Sequence, residues 1–84
     1  MSRPEIFSTE KINDITVVKI VLTRGTMDSA PLLREFMMEL INNGEKYIIT
    51  DLSYCDFMDS SFLGAMVAIL KKLKSIQGDF KIVL

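Results

Sequence analysis

The feature that most constrains the fold is a repeated alternation. Three short β-type runs, residues 15–22, 47–52 and 80–84, are separated by two stretches whose apolar residues recur at helical spacing. A strand, a helix of a dozen or so residues and another strand make a βαβ unit, with parallel strands and a right-handed crossover. The first run, residues 6–13, alternates weakly and ends in Asn13-Asp14, a good turn pair, so a hairpin precedes the first unit. The expected class is α/β: a mixed, mostly parallel four-stranded sheet in the order β-β-α-β-α-β, with helices packed on it. Residues 47–52 are almost continuously apolar, as expected of a central strand covered on both faces.

The helices carry their own punctuation. Arg24-Gly25-Thr26 breaks the second strand, with Gly25 supplying turn geometry, and Asp28 or Ser29 caps a helix that has Pro31 in its first turn. Leu33, Met37, Leu40 and Ile41 share one face of that helix, while Arg34, Glu35 and Glu39 fall away from it. Asn42-Asn43-Gly44 ends it. In the second helix Leu63, Met66, Val67, Leu70 and Leu73 define the expected core face, Lys71, Lys72 and Lys74 suit the negative end of the dipole, and Gly78 is the expected C-cap.

Between the third strand and this helix lies Phe57-Met58-Asp59-Ser60-Ser61-Phe62-Leu63-Gly64. Asp59, Ser60 and Ser61 are all good N-cap residues, and a capped strand-to-helix turn with no chemistry attached is the plain reading. The same geometry places the Ser60 and Ser61 hydroxyls at the positive end of a helix, where a phosphate meets backbone donors and a favourable dipole. The turn falls at the carboxyl end of the third strand and Asp28 at that of the second. This is the rim where parallel sheets engage ligands and partners, so Asp28 and Ser60 are expected to be neighbours. Asp28 reads equally as an N-cap.

Asp59-Ser60-Ser61-Phe62-Leu63-Gly64, preceded by Asp51-Leu52-Ser53 and Phe57-Met58, resembles the signature of STAS domains, most closely that of bacterial anti-sigma factor antagonists, Asp-Ser-Ser/Thr-Gly-Leu-Gly. Residues 25–33, Gly-Thr-Met-Asp-Ser-Ala-Pro-Leu-Leu, resemble the family's Gly-x-Leu-Asp loop and helix start. The resemblance implies that Ser60 is the phosphoacceptor of an anti-sigma factor serine kinase, opposed by a serine phosphatase, and that Asp28, Asp59, Ser61 and Phe62 belong to the partner-binding rim. There are two departures. Phe62 stands where the family usually has glycine; it is expected to be exposed and to touch the partner, with burial under the Asp28 loop as the open alternative. The chain also stops at Leu84, short of a further helix of the family, which implies a single domain over residues 1–84 trimmed at its C-terminus. Its last strand is then an open edge through which copies could self-associate.

Two functions from different classes follow: a phosphorylation-controlled antagonist that switches partners, or a constitutive STAS-like scaffold in which Ser60 is only a cap. Enzyme readings fare worse. The chain has no histidine to serve as general base, no Gly-x-Ser-x-Gly elbow and no phosphate-binding glycine loop. No cofactor is expected; Asp51, Asp56 and Asp59 are the only candidates for Mg²⁺, and such a site usually needs substrate phosphates as well. A net charge of −1 without a basic run gives no footprint for direct nucleic-acid binding. The one cysteine, Cys55, reads as a small buried hydrophobe. No apolar run approaches membrane-spanning length and no signal-peptide core opens the chain, so a cytoplasmic location is expected.

Overall fold

The structure is a computed structural model that describes residues 6–84. The strands β1 (Phe7–Ile12) and β2 (Ile15–Ile20) form the expected hairpin, in antiparallel register from Phe7 opposite Ile20 to Ile12 opposite Ile15. Asn13 turns it with φ 55°, the left-handed region that asparagine tolerates better than most residues. The chain continues through β3 (Arg24–Gly25), α1 (Ala30–Asn42), β4 (Tyr47–Asp51), β5 (Phe57–Met58), α2 (Ser60–Ser75) and β6 (Asp79–Val83). The main sheet runs β1-β2-β4-β6, with β4 parallel to both β2 and β6. Among the described residues β6 is an edge strand.

Both crossovers step the same way across this sheet, so their common right hand puts α1 and α2 on the same face. The expectation that β4 is covered on both faces is therefore corrected. Ile48 and Thr50 are buried beneath the helices, whereas Tyr47 is exposed and Ile49 and Asp51 are half-buried on the opposite face. A nearly continuous apolar run here marks a central strand with one face left open among the described residues.

The predicted face of α1 holds, with Leu33, Met37 and Ile41 buried and Leu40 half-buried. Its end is a Schellman turn: Gly44, at φ 98°, donates to Ile41 O at 3.0 Å, and Glu45 donates to Leu40 O at 3.1 Å. The predicted face of α2 is wrong by part of a turn. Phe62, Ala65, Met66, Ile69 and Leu73 are buried, while Leu63 is 45% and Val67 50% exposed. The two candidate stripes share Met66 and Leu73, and the one that buries an aromatic ring removes more apolar surface from water. Gly78 is not the left-handed residue after α2. Gln77 takes that role at φ 64°, and Gly78 donates to Leu73 O at 2.7 Å. Gly78 is required by close packing, because a Cβ there would lie 2.1 Å from the Lys46 carbonyl oxygen.

At the end of the molecule that holds the β1–β2 turn, Glu45 accepts from Lys11 Nζ at 2.6 Å and from the buried Thr16 hydroxyl at 2.9 Å. These bonds hold the Glu45 carboxyl below its ordinary value. No helix among the described residues is long and apolar enough to cross a membrane.

Candidate functional site

Beyond the carboxyl ends of β2 and β4, the chain makes a second, two-stranded parallel ribbon in which Arg24 pairs with Phe57 and Gly25 with Met58. Two-residue strands have no periodicity to read, and the sequence suggested only a break at this point. The ribbon delivers Asp59 to the start of α2, and the Asp59 N–H donates to Gly25 O at 2.9 Å.

Asp59 caps α2 from an extended conformation, φ −90° and ψ 177°. Its Oδ1 accepts from the Phe62 N–H at 2.9 Å, satisfying one of the orphan donors of the first turn. Its Oδ2 accepts from the Met27 N–H, also at 2.9 Å. One carboxylate therefore fastens the loop before α1 to the first turn of α2, and neither oxygen is idle. The link to Met27 was not foreseen, since nothing local in a sequence signals a bond across 32 positions.

The same junction explains Phe62. The expectation of an exposed, partner-touching side chain is overturned: the residue is 0% exposed. Its ring lies against Gly25, where a Cβ would come within 2.6 Å of Phe62 Cδ2. Gly25 is thus the missing volume into which the ring fits, more than a turn-former. Burial on this side withdraws Phe62 from the surface on which Ser60 and Ser61, both exposed in the first turn, present their hydroxyls.

Asp28 is exposed on the loop held by Asp59, one residue after Met27. The residue before Ser60 is thus bonded to the residue before Asp28, and the two segments meet at one rim. Neither Asp28 nor Ser29 caps α1 as expected. Ser29 occupies the cap position without a side-chain bond to the helix; its Oγ accepts from the Thr26 N–H at 3.0 Å and donates to Thr26 O at 3.1 Å. Cys55 is half-buried, its thiol donating to Phe57 O at 3.2 Å. Asp51 accepts from the Ser53 N–H at 2.9 Å, and this bond holds its carboxyl below the usual range. Among the described residues no three acidic, cysteine or histidine side chains gather into a metal site, so Asp51, Asp56 and Asp59 do not form the Mg²⁺ cluster considered from the sequence.

Comparison with known proteins finds the same fold. SpoIIAA, an anti-sigma factor antagonist solved in its unphosphorylated form, superposes with a TM-score of 0.74 at 20% identity, over 90% of this chain and 70% of that one. The phosphorylated form of the Bacillus protein SpoIIAA, described as a cell fate determinant, gives 0.70 at 21% identity, over 93% and 69%. TM1081 of Thermotoga maritima, described as a candidate anti-sigma factor antagonist, gives 0.78 at 28% identity, over 93% and 67%. No curated protein matches the sequence. The STAS domain matches residues 7–84, nearly the whole chain, and the protein belongs to the STAS domain family.

Proposed function

We propose that this chain is an anti-sigma factor antagonist whose binding to an anti-sigma factor kinase is ended by phosphorylation of Ser60. The observation that carries the proposal is the division of labour in the Asp59-Ser60 pair. Asp59 is fully committed to two backbone donors, whereas the adjacent Ser60 hydroxyl is exposed on the first residue of α2. A phosphate on that oxygen faces first-turn amides that have no intrahelical acceptor, and the positive end of the helix dipole. The occurrence of SpoIIAA in phosphorylated and unphosphorylated forms supports a switch of this kind in a similar fold.

Unphosphorylated, the rim of Asp28, Ser60 and Ser61 docks onto the kinase and frees its sigma factor. Phosphorylation adds close to two negative charges beside Asp59 and Asp28, and like-charge repulsion with desolvation across the interface amounts to several kcal/mol. A serine phosphatase restores the binding form. The chain acts by binding, in the cytoplasm, without chemistry of its own. The scaffold alternative drew its force from Phe62 at the family's glycine position; with the ring turned into the core, nothing of that side chain stands before Ser60.

The test is to incubate the protein with ATP and each anti-sigma kinase of its source, then map the modification by mass spectrometry. Phosphate on Ser60, absent from Ser60→Ala, is the expected result. Label on Ser61 in Ser60→Ala at the wild-type extent overturns the residue assignment, and no label from any kinase overturns the switch.

A further inference from the structure

The outward side of the β3–β5 ribbon carries groups that neither the core nor the Asp59 junction uses. Within the segment from Tyr54 to Met58, Cys55 and Met58 pack against the core, whereas Tyr54 is 50% and Phe57 45% exposed. Each of these two rings has a cation over it. Lys19 Nζ lies 5.0 Å from the Tyr54 ring centroid, and the Arg24 guanidinium carbon lies 4.4 Å from that of Phe57. The connection is held in place where it passes β2, by the Asp56 N–H donating to Thr23 O at 2.8 Å and by the pairing of Arg24 with Phe57.

We infer that these two cation–aromatic pairs form a second docking surface, for a protein segment that offers a carboxylate to Arg24 and apolar side chains to the rings. The inference rests on the reading of the Ser60 rim as a partner surface, and it extends that surface around the ribbon. Arg24 forms no ion pair among the described residues, so its fork of donors remains available to a carboxylate. Stacking on Phe57 fixes its direction before a partner arrives, which lowers the entropy lost on binding. Exposed aromatic rings beside arginine are the residue types that dominate interface energetics. The exposed carboxylate of Asp56 sits in the same segment and repels a uniformly acidic tract, so the match is mixed, acidic at Arg24 and apolar over the rings. Location supports continuity with the rim: Gly25 and Met58 face inward, Arg24 and Phe57 outward, and Asp59 follows Phe57 by two residues.

The experiment measures the affinity of each anti-sigma kinase of the source organism for the wild-type chain and for Arg24→Gln, Arg24→Lys, Phe57→Ala, Tyr54→Ala and Ser60→Asp, with folding checked by circular dichroism. Arg24→Gln and Phe57→Ala are expected to weaken binding on the order of tenfold or more, with Arg24→Lys between them and wild type. The salt dependence should be shallower in Arg24→Gln than in wild type. Should Phe57→Ala fail to fold, Tyr54→Ala and Arg24→Gln carry the test. Wild-type affinity in the folded Arg24 and aromatic variants, alongside weakened binding by Ser60→Asp, overturns this surface and leaves the Ser60 reading standing. Absence of binding by every kinase overturns both. Binding of a single-stranded oligonucleotide that is lost in Arg24→Gln would overturn the assignment to a protein partner.

Discussion

Asp59 does the work that a capping residue and a loop anchor would otherwise share, and the two roles separate by substitution. Asp59→Asn keeps an oxygen for the Phe62 amide but loses the acceptor for Met27, whereas Asp59→Ala loses both. The alanine variant should cost about 0.5–2 kcal/mol for the cap and about 1.5–3 kcal/mol more for the second charged bond, the asparagine variant only the latter. Thermal unfolding checks the order, and faster hydrogen exchange at the Met27 amide should appear in both; protection of that amide in Asp59→Ala would refute the anchor. Gly25 and Phe62 offer a second pair. Gly25→Ala drives a methyl into the ring and should cost about 1–3 kcal/mol, and Phe62→Ala about 3–5 kcal/mol. The double variant should cost less than their sum, because removing the ring makes room for the methyl. Strict additivity in denaturant unfolding would show that the two do not share one space. The glycine of the family signature and the phenylalanine that replaces it here thus concern how the junction is filled.

At the scale of elements, the strand–helix alternation was legible because each run has its own period, and the hairpin, the crossovers and the caps at Asp59 and Gly44 followed from local chemistry. What stayed illegible depends on packing between elements. Two overlapping stripes on α2 could not be ranked until the space beside Gly25 was known, and the open face of β4 follows from two crossovers turning the same way. The assignment of the α2 faces predicts that Leu63→Gln and Val67→Gln, on half-exposed positions, change stability by less than about 1 kcal/mol, while Ile69→Ala costs about 2–5 kcal/mol; denaturant midpoints decide it, and the reverse order would restore the stripe expected from sequence. The hairpin and the α1–β4 turn meet through Glu45, whose carboxyl is held below 4.5 mainly by its bond to Lys11. A lowered folded-state value means that this contribution is present above the unfolded value and is lost as pH falls through the folded one. Glu45→Gln should therefore lower the melting temperature at pH 7, and the gap to wild type should close as the pH is taken below 4.5. A gap that stays constant down to strongly acid pH would show that charge is not what Glu45 contributes.

Over the whole molecule, one sheet face is given to the helices, and the loops beyond β2 and β4 meet at one rim, the surface proposed for recognition. The right-handed crossovers bring the ends of β2 and β4 together with the start of α2, and the short β3–β5 ribbon locks them there, so residues distant in sequence act as one surface. The sequence motif singled out Asp28, Asp59, Ser60 and Ser61, together with Phe62, which the fold buries, and the bond from Asp59 to Met27 that joins the two segments came only with the fold. The proposed switch is a single chemical event on this surface, at Ser60, and the charge it adds is what releases the partner. The direct measurement is the affinity of the anti-sigma kinase for the protein stoichiometrically phosphorylated on Ser60 against the unmodified protein, by calorimetry at constant salt. Phosphorylation is expected to weaken binding by about a hundredfold or more, from several kcal/mol of repulsion and desolvation. Equal affinity for the two forms would contradict it.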